Sequence, residues 1–326
     1  MFPKTLCATA VSLLFISAAQ AQPVDFEQSG FSGDTTFFLG FGSETSNFNT
    51  DNDIKTGELN SKGKSESEAQ FGLRGEVRYT FADAHQFFTS VREDDYGPGE
   101  ATLGLGYRMA LAEDSYIGVS YLNSIGGESF EDPYLVNTKR TTTDVSGSTI
   151  LLEYDGILGS DFSAELALTS LDVDKEASGS AGTPAQQKLV QRDGSGVDLT
   201  VSYDMMLGHN AMLMPAVSYQ SFSADGDAMS YTGFGLEMAY LRMMGDHKLM
   251  LSAAVDSNSY DKSHPAFAKK RKDTGYELMA MYEYDGFEGW ENWSVKAVAG
   301  YEAQASNINF YDQNEYIFAV GVGYQF

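Results

Sequence analysis

The stretch EYIFAVGVGYQF, residues 315–326, decides how the rest of the chain is read. In steps of two it sets Tyr316, Phe318, Val320, Val322, Tyr324 and Phe326 on one face. Glu315, Ile317, Ala319, Gly321, Gly323 and Gln325 fall on the other. Successive side chains of a strand point to opposite faces, so one face is apolar and aromatic while the other is small or polar. A helix would scatter the aromatics around its circumference. Alternation with aromatics near both ends is what a lipid-facing barrel strand requires.

Working back from this stretch, the same two-residue period recurs along nearly the whole chain. In the run from Glu68 to Ala82, Phe71, Leu73, Val77, Tyr79 and Phe81 oppose Gln70, Arg74, Glu76, Arg78 and Thr80. Counting from the N-terminus, such runs fall at about 34–44, 68–82, 86–93, 100–111, 115–124, 142–155 and 161–172. They continue at about 195–207, 212–223, 229–244, 248–258, 273–285, 293–305 and 314–326. The expected fold is therefore all-β, a transmembrane antiparallel up-and-down barrel of about 14 strands, with 12 as the alternative because the first and third runs are short. Connections alternate between very short turns (82–84, 112–114, 208–210, 245–247) and long polar loops (45–66, 125–141, 173–192, 259–272). That asymmetry is the barrel topology of the outer membrane, with short periplasmic turns and long outside loops.

Residues 1–21 read as a cleaved signal peptide: Lys4, the apolar run LCATAVSLLFISAA, then Ala19-Gln20-Ala21 as a small-x-small cleavage site. Residues 22–33 are a periplasmic lead-in or a segment tucked into the lumen, and 34–326 form the barrel. The single cysteine, Cys7, lies in the signal segment, so neither a disulfide nor a cysteine-held metal is expected in the mature chain. The full sequence carries 21 Lys+Arg against 46 Asp+Glu; loss of Lys4 leaves a net charge of −26. Such a balance argues against a nucleic-acid partner, which needs clustered positive charge.

If the apolar face looks outward, the inward face carries Arg74, Glu76, Arg78, Arg108, Glu153, Glu165, Asp198, Asp204, Glu237, Lys248, Asp256, Glu277, Glu283, Lys296 and Glu302. Ten of these fifteen are acidic, which biases a wet pore toward cations or neutral polar solutes; the plainer alternative is a set of charges that brace and solvate the wall. Lys269, Lys270, Arg271 and Lys272 form the one basic run, placed in an outside loop where it could hold lipopolysaccharide phosphates. Aromatics near strand ends, Tyr79, Tyr203, Trp293 and Tyr324 on one side and Tyr121, Tyr219, Tyr231 and Tyr301 on the other, are expected at the two interfaces. Met205, Met238, Met243 and Met244 are read as lipid-facing or gap-filling. His264, near Asp261 and with Asp94 or Asp95 from another loop as its acidic partner, is the one candidate for hydrolysis, and the chain is not expected to be an enzyme. No cofactor or metal is expected.

The closing residues Tyr316, Phe318, Tyr324 and Phe326 resemble the C-terminal signal that the barrel-assembly machinery recognises. Together with the signal peptide and the GFSG string at 30–33, they resemble an uncharacterised group of proteobacterial outer-membrane proteins. That resemblance implies a surface-exposed barrel in the bacterial outer membrane, in contact with its lipids and lipopolysaccharide. The expected function is a narrow porin-like passive channel for small solutes, with homo-oligomers open. The alternative is a non-conducting surface barrel whose loops bind a partner or lipopolysaccharide.

Overall fold

The computed structural model describes Phe26 and residues 29–92, 101–112 and 114–326. Its strands are β1 (Gly30–Ser46), β2 (Lys64–Phe81), β3 (His85–Arg92), β4 (Ala101–Ala112), β5 (Ser115–Ile125), β6 (Thr142–Asp155) and β7 (Phe162–Val173). They continue with β8 (Gly194–Tyr203), β9 (Ala211–Ala224), β10 (Tyr231–Met244), β11 (His247–His264), β12 (Lys269–Tyr284), β13 (Trp293–Ser306) and β14 (Gln313–Gln325). Each pairs antiparallel with the next, and β14 returns to β1 from Asp34↔Gln325 to Thr45↔Asn314. The sheet closes on itself as a 14-stranded barrel, which removes every edge that would leave backbone groups unpaired in lipid. Residues 1–25, including the expected signal peptide, lie outside the described residues.

Side-chain parity decides which way each strand faces. Phe37, Leu39 and Phe41 on β1, Phe234 and Leu236 on β10, Leu278 on β12, and Phe318, Val320 and Val322 on β14 are all exposed. A continuous apolar belt of this extent is incompatible with water and marks the lipid-facing wall of an outer-membrane barrel. Rings gather at its rim beside the short turns: Phe162 lies 4.8 Å from Tyr203, and Trp293 lies 4.8 Å from Tyr324. Tyr231, expected in the outer girdle, instead faces inward and is buried between Phe222 and Tyr260, because its strand parity matches Glu237 rather than Phe234.

Two departures from the expected strands have visible causes. The run 195–207 is interrupted at Asp204, after which only Met205–Met206 pair with β9. Pro215 on β9 lies opposite the gap and has no N–H to give the ladder. On its other side the Asp204 N–H still donates to the carbonyl of Asp161, 2.9 Å away. The expected loop 259–272 is mostly strand: β11 runs to His264 and β12 starts at Lys269, with a register shift between Ser259 and Ser263.

At the end carrying the long connections, loops fold over the mouth. Phe48, Tyr134, Val190, Ala228, Met229, Ile308, Phe310 and Tyr311 form one buried cluster, with Phe267 packed against it. These residues come from the connections β1–β2, β5–β6, β7–β8, β9–β10, β11–β12 and β13–β14. Among the described residues, six loops of the ring therefore meet in one apolar core, which makes them a cap.

Candidate functional site

The lumen wall is built from the inward parity of the strands, and the cap over it from the loops. On the β1–β6 side the charges neutralise one another. Arg108, almost fully buried, holds Glu76 at 2.9 Å and Glu153 at 3.7 Å, with its guanidinium 3.8 Å from the centre of the Phe88 ring. Arg78 reaches Glu76 at 3.5 Å and Asp34 at 3.9 Å. Arg78 and Glu76 thus pair with each other and with adjacent strands. At the short-turn rim of the opposite wall, Lys248 sits 3.7 Å from Glu283 and 3.2 Å from Asp285, and Lys296 pairs with Glu283 at 3.7 Å.

Between these ion pairs and the cap the wall is acidic. Glu237 stands across from Ala254, Ala254 from Glu277, Glu277 from Glu302, Glu302 from Glu315, Glu315 from Glu44, and Glu44 from Glu66. One ladder row, crossing seven neighbouring strands about 4.8 Å apart, thus carries six glutamates on its inner face. Barrel strands are tilted, so a row perpendicular to them winds up the wall. Glu237 lies mid-strand while Glu44 and Glu66 lie near the cap, which makes the row a rising track. Like charges directly opposite one another are destabilising in a sheet. Among the described residues, no basic side chain is ion-paired to Glu277 or Glu302; Lys248 and Lys296 are paired at the rim, and Arg271 with Asp273.

The remaining sequence candidates fall as follows. Glu165 faces Glu153 across β6–β7, Asp198 faces Gln220 across β8–β9, and Asp256 faces Gly275 across β11–β12, all on the inner side. Arg74 lies on the inner face of β2, opposite Thr36. Asp204 is half-buried at the β8 break, outside the ladder. Phe26 is 6.1 Å from the ring of Tyr116, a buried inward residue of β5, so this part of the lead-in lies within the barrel mouth.

The basic run is split by parity. Lys270 and Lys272 point outward and are exposed, and Lys269 donates to the carbonyl of Asn307. Arg271 points inward, fully buried, which corrects its expected place on the surface. Its Nη2 lies 2.6 Å from Asp273, and its guanidinium is 3.5 Å from the Tyr311 ring centre and 4.3 Å from that of Tyr260. It ties wall to cap. His264 is corrected likewise: instead of lining a surface loop it is 1% exposed, edge-on to Tyr134 at 4.8 Å and close to Phe267. Its Nδ1 accepts from the Ala266 N–H at 3.2 Å, while Asp261 stays exposed. Asp94 and Asp95 lie outside the described residues.

Sequence reasoning missed the cap and its arginines. Arg192 binds Glu176 at 2.7 Å, the Ser129 hydroxyl at 2.7 Å and the Phe130 carbonyl at 2.8 Å. Arg140 donates to the carbonyls of Asn47, at 2.7 Å, and Asn52, with its guanidinium 3.7 Å from the Phe130 ring centre. Lys55 donates to Asn47 Oδ1 at 2.8 Å and to Ser61; burial, and secondarily the Arg140 charge, holds its ammonium down to about 8. The available signal was aromatic residues inside polar loops: Phe48, Tyr134 and the INFY string at 308–311.

Several solved barrels are similar in outline. The COG4313 outer membrane channel from Pseudomonas putida F1 shares 12% identity over 94% of this chain and 99% of that one, with a TM-score of 0.48. The Pseudomonas putida toluene transporter TodX shares 7% over 99% and 95%, with a TM-score of 0.46. The outer membrane channel DcaP of Acinetobacter baumannii shares 12% over 91% and 98%, with a TM-score of 0.42. No curated protein matches the sequence. The family model described as "Protein of unknown function (DUF2860)" matches residues 30–325.

Proposed function

The chain belongs to the DUF2860 family, whose matched span coincides with the barrel, and from that premise we propose that it is a gated outer-membrane channel for cations and small polar solutes. The observation that carries this reading is the rising row of glutamates. A wet lumen lined on one wall by carboxylates favours cations over anions. The row begins beneath the cap and descends to mid-barrel, so a cation would be passed between neighbouring carboxylates rather than held at one. The cap supplies the gate: its core must part before the outside mouth conducts.

Planar-bilayer recording of the refolded mature chain tests the proposal. Brief, infrequent steps are expected, with a reversal potential in a potassium chloride gradient that favours potassium. Glu277→Gln with Glu302→Gln should reduce that preference while leaving the folded barrel intact. Anion preference, or a preference unchanged by the double substitution, would refute it.

A second reading is favoured by Lys270 and Lys272, which project from the outer wall above the apolar belt: the barrel is a non-conducting surface protein that engages lipopolysaccharide phosphates and presents its cap. Complete silence of a folded barrel, even after the cap is loosened, would support this reading over the channel.

A further inference from the structure

We propose that the lumen holds a binding site for amphipathic cations, solutes with an ammonium group and an apolar body. The inference rests on the cation reading of the glutamate row and names the class of solute. The inner wall of an outer-membrane channel is ordinarily polar. Here the inner faces of β9–β12 carry a methionine-rich patch just inside the short-turn mouth. Met214, Ala239, Leu241 and Met250 form a buried cluster with Met212 and Met281 packed against it. Register makes the patch continuous: Met212 is opposite Leu241, Leu241 opposite Met250, and Met250 opposite Met281.

The patch lies on the face opposite the outer belt and is not part of the cap, whose core is at the other end. What it adjoins is charge. Leu241 and Glu237 share β10, and Met281 and Glu277 share β12, each pair four residues apart. At about 3.3 Å per residue the acidic row therefore runs about 13 Å from the apolar row, along the same wall. That offset matches a small cation carrying a short hydrocarbon tail. A further polar contact is available at the acidic end. Ser218 is 5% exposed, its hydroxyl has no partner, and it lies on the row that crosses Gly235 to Asp256. Methionine suits such a site because its unbranched thioether repacks around apolar guests at little cost. The half-buried edge at Met212 and Met281 is where a tail would enter.

Isothermal titration of the folded mature chain in lipid nanodiscs tests this without requiring conduction. The probes are hexyltrimethylammonium, tetramethylammonium and hexanoate, with empty discs subtracted. Saturable binding of hexyltrimethylammonium is expected, with tetramethylammonium about tenfold weaker, the ratio for roughly two methylenes leaving water, and no binding of hexanoate. Leu241→Asn should erase the difference between the two cations, and Met250→Gln serves the same purpose if the first variant fails to fold. Glu277→Gln with Glu302→Gln should weaken both cations. Equal affinity for the two cations, no saturable binding, or an undiminished preference in a folded Leu241→Asn or Met250→Gln barrel would overturn the proposal. Cation-selective conductance without a preference for the hexyl compound refutes this inference alone. Hexyl-selective binding in a barrel lacking cation preference refutes the channel reading alone.

Discussion

Replacing Arg271 by methionine removes the side chain that fastens the cap to the wall, and its consequence can be worked from the geometry. The guanidinium is fully buried, 2.6 Å from Asp273 and within 4.3 Å of two tyrosine ring centres. Arg271→Met strands a buried carboxylate, which costs about 3–5 kcal/mol, and forfeits two cation–π contacts of about 1 kcal/mol each. Part of that loss returns as methionine packs against Tyr260 and Tyr311, leaving about 4 kcal/mol. Asp273 stands on the wall beside Arg271, so the penalty falls on the closed state, where the cap keeps water from the carboxylate; if opening hydrates it, the open-to-closed ratio rises about a thousandfold. Rare openings in a planar bilayer would become near-continuous conductance. Adding Asp273→Leu removes the stranded charge, and most of the closed state should return. The reasoning fails if Arg271→Met opens no more often than the wild type while folded, or if the double variant is as leaky as the single one.

Smaller perturbations of the cap should scale accordingly. Tyr134→Phe deletes the 2.8 Å hydroxyl–hydroxyl bond to Tyr311, worth about 1 kcal/mol, and should raise opening about fivefold in the same recording. Lys55 gives up its proton near 8 in the folded loop, whereas the unfolded loop keeps it to 10.5. Between those values the unfolded state binds more protons, so this residue's contribution to cap stability rises with pH; near-UV circular dichroism melts from pH 7.5 to 10 should show that rise, and Lys55→Met should abolish it. Lys270→Ala with Lys272→Ala should lower the lipopolysaccharide that co-purifies with the barrel, whereas Arg271→Met should not.

The barrel was legible because a period of two is a one-dimensional signal: Phe318, Val320 and Val322 need no knowledge of their neighbours to be assigned outward. Strand number and the alternation of short and long connections follow from the same reading. What parity supplies is direction and no more. It places Glu277 and Glu302 inside, but their direct opposition depends on register, which turns and bulges set. The cap was hidden for a different reason. Tyr134 and Tyr311 lie 177 residues apart, and nothing local in either loop says that they meet. Arg271 shows the cost of reading a run by composition: four adjacent cations look like one patch, yet strand geometry sends the third to the opposite side from its neighbours. The inward methionines were available to parity and went unread because methionine is so often filler.

The cap also governs how the cell surface presents this chain to anything that must recognise it. Among the described residues, its buried core joins six separate stretches of sequence, which hold one another in place. Antisera raised against any one stretch as a free peptide should bind the denatured chain and ignore intact bacteria. Antibodies or phage selected on whole cells should lose their target once the polypeptide is boiled.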